Sequence, residues 1–338
     1  MTLQERVAAF ARAKFGERAT VEKLPGDASD RAFFRMRSHH FSSLILMVHR
    51  EPFELSALPF FQHARFLHEI GASVPQIVAS YPSEGILAVQ DLGDEMLQSH
   101  LVTCDAARRR FLYLQAVQMI AFLQEEGTRA VTPDLPAATT ALDGVRLLWE
   151  MRFFAEHFVS GLMMAPLDAQ ESAGLDAWFG RLAKEVAGQR RVLCHRDYHS
   201  RNLMVKGDRL FMVDFQDARM GPFTYDLASL VRDSYVELPD DLCGELLEFF
   251  REATHAPESP DEFQRAWNRA ALQRNIKAIG TFASQAMMKG NRGYLRYIPR
   301  TLARVREALA GEPESFRTEG GADILKLFGG ALDYREEP

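Results

Sequence analysis

The chain has 338 residues, 47% hydrophobic and 25% charged, ordinary values for a globular protein that exclude disorder as its dominant state. Its 40 basic and 46 acidic side chains give a net charge of −6 at pH 7, which argues against a nucleic-acid partner, because such proteins normally carry a basic field. The length suggests two domains or one domain with two lobes. Three widely spaced cysteines, Cys104, Cys194 and Cys243, predict neither a disulfide framework nor a paired-thiolate metal site and suit reduced thiols in a cytoplasmic setting.

Residues 3–15 read as an amphipathic helix. The opening run MTLQERVAAFARAKF carries Glu5 early and has no continuous apolar stretch, so it predicts neither a secretory signal nor a membrane span. Val21–Leu24, Ala32–Arg37 and Leu44–His49 read as strands, the first two separated by the turn residues Pro25-Gly26-Asp27. Leu58–Ile70 reads as a helix stopped by Gly71 and Pro75, and Gln76–Ser80 and Ile86–Gln90 as two more strands. After Gly93 the period becomes helical: Leu112, Ala116, Met119 and Leu123 share one face, as do Leu147, Met151 and Phe154. A helix is predicted over Leu175–Val186, then a hairpin of Leu203-Met204-Val205 and Leu210–Val213 about Lys206-Gly207-Asp208. Helices follow near 239–253, 261–289 and 298–309, and the tail 318–338 is read as one more. The pattern divides the chain into a β-rich lobe, residues 1–93, and a helical lobe, residues 94–338, joined by a hinge near 90–94.

One segment dominates the chemistry. CHRDYHSRNLMV, residues 194–205, is followed by VDFQ, residues 213–216; Asp197 and Asn202 are five apart and Asp214 lies twelve beyond Asn202. This is the layout of a kinase catalytic loop followed by a metal-binding aspartate. Phosphoryl transfer needs an acceptor hydroxyl held in line with the γ-phosphate of ATP, and a carboxylate at Asp197 can orient it and take its proton. The phosphate charge needs Mg²⁺, which prefers hard oxygen ligands; Asn202 and Asp214 supply them on either side of the hairpin.

These blocks, with VDFQDARMGPFTYDLASL at 213–230, resemble the aminoglycoside phosphotransferase-like kinases, which share the protein-kinase fold and phosphorylate small molecules. The resemblance implies an α+β, two-lobed fold with ATP as donor, and places Asp226 and His195 as structural supports of the catalytic loop. Asp226 also reads as a helix N-terminal residue. A narrower resemblance covers residues 24–300. LPGDASDRAFFRM, SLILMV, ILAVQDLGDEML, LLWEMRFF, LQRNIKAIGTFA and RYIP occur in the order seen in the anomeric amino-sugar kinases of bacterial cell-wall recycling. Those enzymes phosphorylate the C1 hydroxyl of N-acetylmuramate and N-acetylglucosamine.

For the nucleotide, the resemblance implies that the turn Gly26, Asp27, Ala28, Ser29 covers the phosphates and that Gln90, Asp91, Leu92 and Gly93 form the hinge that meets adenine through its backbone. One departure stands out. The strand Leu44-Ile45-Leu46-Met47 lacks the lysine expected near Met47, and no lysine occurs between Lys23 and Lys184. The following helix has Gln62 near the place of the lysine's glutamate partner. Losing both members together is coherent, since one buried charge alone is costly. His49 and Arg50 are the candidates for the missing cation.

The acceptor is expected to be a small sugar bordered by His199 and Arg201 from the catalytic loop and by Glu150, Arg274, Asn275 and Lys277 from helices. Lys277 or Arg274 would suit a lactyl carboxylate. No membrane, nucleic acid or obligate protein partner is expected. The alternatives are a different small-molecule kinase, acting on an aminoglycoside or an amino-alcohol, and a nucleotide-binding pseudokinase. Arg265, Arg269, Arg274, Lys277 and Lys289 favour a neutral or anionic acceptor. The joint presence of Asp197, Asn202 and Asp214 weighs against the pseudokinase.

Overall fold

The computed structural model describes residues 2–25, 31–39 and 43–335. Short turns aside, the elements in chain order begin α1 (Leu3–Phe15), β1 (Thr20–Lys23), β2 (Ala32–Arg37), β3 (Leu44–Val48), α2 (Pro59–Glu69), β4 (Ile77–Tyr81) and β5 (Ile86–Gln90). They continue α3 (Ala106–Phe122), α4 (Gly144–Phe154), α5 (Ala169–Ala187), β6 (Arg191–Cys194), β7 (Leu203–Lys206), β8 (Arg209–Met212) and β9 (Arg219–Pro222). Before the C-terminal tail come α6 (Tyr225–Val231), α7 (Asp240–Ala253), α8 (Pro260–Met288) and α9 (Ile298–Ala310). The strands and helices read from hydrophobic period over residues 3–90 are all present. No helix among the described residues is long and apolar enough to cross a membrane.

The contacts divide the chain into two units, residues 1–100 with 202–217, and residues 101–201 with 218–338. The sequence expectation drew one boundary at residue 93; the structure instead carries the first unit to residue 100 and adds the β7–β8 hairpin to it. The reason is hydrogen bonding. Met212 N donates to Ser73 O at 2.8 Å, Val205 N to Glu95 O at 2.8 Å, and Lys206 Nζ to Asp91 O at 2.8 Å.

In the first unit an antiparallel sheet runs in the order β1-β2-β3-β5-β4. Period-two alternation gives it two distinct faces. Phe34, Met36, Leu44, Leu46, Val48, Ile86 and Ala88 point one way and bury against Val7, Phe10, Ala11 and Phe15 of α1. That helix is started by a capping box in which Thr2 and Glu5 bond each other's backbone amides. The opposite face carries Phe33, Arg35, Ile45, Met47, Leu87 and Val89, as the cross-strand pairs Phe33–Met47, Arg35–Ile45, Met47–Leu87 and Ile45–Val89 require.

The second unit is helical around α8, whose 29 residues bury side chains on every side, from Phe263 and Trp267 to Phe282 and Ala283. A helix with buried residues all round its middle belongs in a core, and this one also carries the polar Gln273, Arg274, Asn275 and Lys277 there. Against it lies α4, and the approach is close: a Cβ on Gly280 would sit 2.7 Å from Phe154 Cα and 2.9 Å from Phe154 N. Embedded in the helices is a two-stranded sheet, β6 with β9, in the register Arg191–Pro222 to Cys194–Arg219. Sequence period did not reveal it, because each strand has four residues and its partner lies far along the chain. The tail also differs from the expected helix. Thr318–Glu319 pairs with Ala322–Asp323, and only Ile324–Gly329 is helical. Gly320 and Gly321, at φ +57° and +84°, make the reversal, a conformation glycine adopts at little cost.

Gly280→Ala is therefore expected to destabilise the second unit by about 1–3 kcal/mol, the usual range for overpacking. Both clashing atoms are backbone, so they cannot turn aside. Thermal denaturation checks it: a lower Tm supports the packing, and an unchanged Tm contradicts the α4–α8 approach.

Candidate functional site

The residues that carry the chemistry fall in both units, and each group has its own supports. In the second unit, β6 runs into the loop 195–201 and β9 runs back from it into α6. This pairing brings Asp226 beside the start of the loop. Its carboxylate, 0% exposed, accepts from His195 N at 2.6 Å and Arg196 N at 2.9 Å. Asp226 thus lies in the first turn of α6, while Thr224 at the N-cap makes no side-chain capping bond.

A second buried carboxylate, missed in the sequence, holds the far end of the loop. Asp233 accepts the Ser200 amide at 3.0 Å and the Ser200 hydroxyl at 2.5 Å on Oδ2, and the Tyr235 amide at 2.8 Å on Oδ1. Asp233 lies just past the end of α6, and no spacing in the sequence marks it. Burial pushes both carboxyls up, while the amide and hydroxyl donors favour their ionised forms. Between the two anchors Arg196 takes φ +83°, a strained backbone position for a side chain of that size. His195 is buried edge-on to Tyr198, at 5.6 Å between rings, and the Tyr198 hydroxyl donates to Ala116 O at 2.9 Å.

So held, the loop presents Asp197 to α8. Lys277 Nζ donates to Asp197 Oδ1 at 2.9 Å, and Arg274 lies 3.8 Å from the same oxygen. Burial opposes ionisation of Asp197, but Lys277, then Arg274, Arg196 and His199, outweigh it and hold the carboxyl well below the usual range. Its side chain remains 31% exposed. Behind this pair Glu150, 2% exposed, accepts from Arg196 at 3.3 Å and from Gln273 at 3.1 Å. Burial works against its charge too, but Lys277 and Arg196 lower its pKa overall. Glu150, expected at the acceptor, is instead placed as a counter-ion beneath the loop. Asn275 is likewise buried and does not line the cavity described next.

Asp197, His199, Arg232, Tyr235, Arg274, Lys277 and Phe282 line a cavity, with Ser229, Thr281 and the Asp233 segment completing it. His199 packs edge-on to Tyr235 at 5.1 Å between rings. Burial, with Arg274 next, lowers its pKa to about 3, so it is neutral at physiological pH. Arg201 lies against Tyr235 and Tyr294, 4.8 and 5.6 Å from the ring centres. Arg274 Nε also donates to Ser229 Oγ at 2.9 Å. The tyrosines, Phe282 and Arg232 carried no signal in the sequence, since aromatic residues at helical spacing read equally well as core.

In the first unit, Asn202 and Asp214 flank the β7–β8 hairpin, joined by Val213 N donating to Asn202 O at 3.0 Å. Asp214 is exposed, sits at φ +64°, and accepts Gln216 Nε2 at 2.7 Å on Oδ1. The next residue, Phe215, is buried and stacks on Phe60 of α2, 5.0 Å between rings, which fixes where Asp214 emerges. No group of three or more His, Cys, Asp or Glu side chains suited to a metal occurs among the described residues. Two hard oxygen donors at the base of one hairpin do fit Mg²⁺, which is normally bound by one or two protein carboxylates with the remaining positions filled by water and phosphate oxygens.

The segment 90–93 is clamped. Arg35 makes a two-pronged pair with Asp91, at 2.7 and 3.1 Å, and another with Asp94, at 2.9 and 2.8 Å. Burial resists the charge on Asp91, but Arg35 overcomes it and lowers the pKa to about 2. Asp91 Oδ1 also accepts from Gly93 N at 2.9 Å. Together with Lys206 on Asp91 O, these bonds occupy two of the backbone groups expected to face adenine. The expected phosphate turn, Gly26 to Ser29, lies outside the described residues. Gln62, expected near a lysine partner, turns back to donate to Ser56 O at 2.6 Å.

Residues 20–272 match the model of a phosphotransferase enzyme family. The chain is 30% identical over 312 residues to the N-acetylmuramate/N-acetylglucosamine kinase of Pseudomonas aeruginosa, covering 90% of this chain and 89% of that one. It is 29% identical over 282 residues to the enzyme of the same name from Neisseria meningitidis, covering 82% and 81%. Among solved structures, an ADP-bound aminoglycoside phosphotransferase superposes with a TM-score of 0.61 at 13% identity, covering 91% of this chain and 99% of that one. A choline kinase from Cryptosporidium parvum gives 0.62 at 12% identity, covering 96% and 99%. These two likenesses show the protein-kinase-like fold.

Removing the Asp226 carboxylate leaves two buried amides without their acceptor, a loss of about 1–3 kcal/mol for each. Asp226→Ala is expected to lower Tm and to reduce kcat more than nucleotide affinity. Unchanged Tm and kcat would show that the loop holds its shape without that anchor.

Proposed function

The chain belongs to the phosphotransferase enzyme family, and we propose that it transfers the γ-phosphoryl group of ATP to the anomeric C1 hydroxyl of N-acetylmuramate or N-acetylglucosamine. The observation that carries the reading is Asp197, an ionised carboxylate held by Lys277 at 2.9 Å on the wall of a polar cavity. The activity named for relatives matched over 82–90% of this chain supports the acceptor. The product would be a sugar 1-phosphate for peptidoglycan recycling, made in the cytoplasm where ATP is available.

Lys277 donates to Asp197 Oδ1, and the Asp197 carboxylate would accept the acceptor's O–H. The hydroxyl oxygen forms its bond to the γ-phosphorus as the bond to the β–γ bridging oxygen breaks, ADP leaves, and the proton passes to Asp197 and then to solvent. A carboxylate held this acidic is a weak base, so its main work is orientation, with proton transfer late. A hemiacetal hydroxyl is more acidic than an ordinary alcohol, which suits such a weak base. Asn202 and Asp214 would hold Mg²⁺ by their side-chain oxygens. When bound, the ion neutralises phosphate charge.

The cavity wall carries Arg232, Arg274 and Lys277 against Asp197 and Asp233. Lys277 is engaged by Asp197 and Asp233 by the loop, so Arg274 and Arg232 are the cations placed for a lactyl carboxylate. That balance disfavours an aminoglycoside or amino-alcohol cation. Tyr235 and Phe282, 5.8 Å apart between rings, supply apolar wall of the kind that packs against a sugar ring.

The test is to incubate the protein with Mg²⁺–ATP and each of N-acetylmuramate, N-acetylglucosamine, glucosamine, an aminoglycoside and choline. ADP release and phosphorus NMR are the readouts. Phosphate on C1 of an N-acetyl sugar is expected; phosphate on the aminoglycoside or choline instead overturns the acceptor. Asp197→Asn is expected to lose about 10²–10⁴-fold in kcat, the usual effect of removing a positioned base, with ATP affinity kept. Comparable turnover in that variant contradicts the role of Asp197.

A further inference from the structure

The face of the first unit's sheet turned away from α1 has no lysine on β3, where a kinase fold places the cation for the α- and β-phosphates. Met47 stands there, buried. On the neighbouring strand, period two puts Phe33 and Arg35 on this same face, the cross-strand partner of Phe33 is Met47, and Arg31 immediately precedes that strand. The Arg31 guanidinium reaches Met47, with Nη1 3.8 Å from Met47 Sδ. A cation thus reaches the residue that replaces the lysine, although it comes from outside β3.

The other cations nearby are directed away from Met47 or misplaced. Arg35 is held by Asp91 and Asp94, and Arg37 pairs with Glu22 at 3.4 Å. Lys206 is bonded to Asp91 O. Arg50 is exposed beyond the end of β3. His49 packs edge-on to Phe53 at 4.7 Å between rings, and burial first, then Arg31, lowers its pKa, so it is not a cation at physiological pH. The missing glutamate fits the same arrangement. A lysine on β3 needs a carboxylate to aim it, whereas an arginine laid along the sheet is steadied by Met47 itself. Gln62 is free to cap Ser56 O instead.

We infer that Arg31 supplies the positive charge that β3 lacks and binds the α- and β-phosphates of the nucleotide from the residue just before β2. Its planar fork matches two phosphate oxygens at once, which a lysine point charge cannot do. The inference rests on the kinase reading above and adds to it the residue that replaces the strand lysine. Arg31 here is a nucleotide-binding residue, distinct from the base at Asp197.

The test is calorimetric binding of ADP and of adenosine to the wild type and to Arg31→Ala. Hydrogen bonds to charged groups are each worth enough that losing them weakens ADP about 10- to 100-fold, while adenosine, which has no phosphate, should bind within about twofold of the wild type. Unchanged ADP affinity in Arg31→Ala overturns the inference. So does an equal loss for ADP and adenosine, which would mark Arg31 as a support of the strand. A wild type that binds no ADP at all fails at the earlier step and overturns the kinase reading together with this one.

Discussion

The arrangement of the second unit's site depends on the hydrogen bonds from the loop amides of His195 and Arg196 to the buried carboxylate of Asp226. A loop with a strained residue near its start does not hold one shape unaided. Arg196 at φ +83° costs about 1–3 kcal/mol, and two charge-assisted bonds immediately beside it can offset that. Asp233 repeats the device at Ser200. Because both anchors come from α6 and its exit, a single helix fixes both ends of the loop. The β6–β9 pairing puts that helix where it is needed. The placement of Asp197 therefore follows from backbone bonds at His195, Arg196 and Ser200 as well as from its own pair with Lys277.

On that frame the charges alternate: Asp197 against Lys277, Lys277 and Arg196 against Glu150, Arg274 beside Asp197. Buried ion pairs contribute little net stability, since desolvation consumes most of the attraction. What they give here is direction. Lys277 holds Asp197 by one oxygen, while Glu150 keeps the neighbouring cations from being an unbalanced buried charge. The first unit uses the same means for another end: Arg35 draws Asp91 and Asp94 onto β2 and so fixes the segment after β5.

Much of this was legible in the sequence, for physical reasons that differ by element. The first unit's strands showed through because one sheet face is apolar and period two is strict there. Asp197, Asn202 and Asp214 showed through because phosphoryl transfer constrains both residue type and spacing. What stayed hidden depends on tertiary pairing. Asp233 resembles any acidic residue after a helix until Ser200 is brought to it. Arg35 reads as any strand arginine until Asp91 and Asp94 are brought to it. Glu150 and Asn275 read as polar residues on amphipathic helices, but α8 and α4 approach so closely at Gly280 that both are buried. The tail read as a helix because its apolar spacing allows one, and two glycines at positive φ turned it into a short hairpin.

The central claim is that Asp197 is an ionised carboxylate held by the cations of α8. It is tested most directly by carbon NMR of the protein labelled at its aspartate carboxyl carbons. The Asp197 signal is assigned by its absence in Asp197→Asn, then followed through a pH titration in the wild type and in Lys277→Met. The account predicts a wild-type Asp197 that titrates below the ordinary aspartate value of about 3.9, and a rise in that midpoint once Lys277 is gone. A wild-type midpoint at or above the ordinary value, or one indifferent to Lys277, would contradict it.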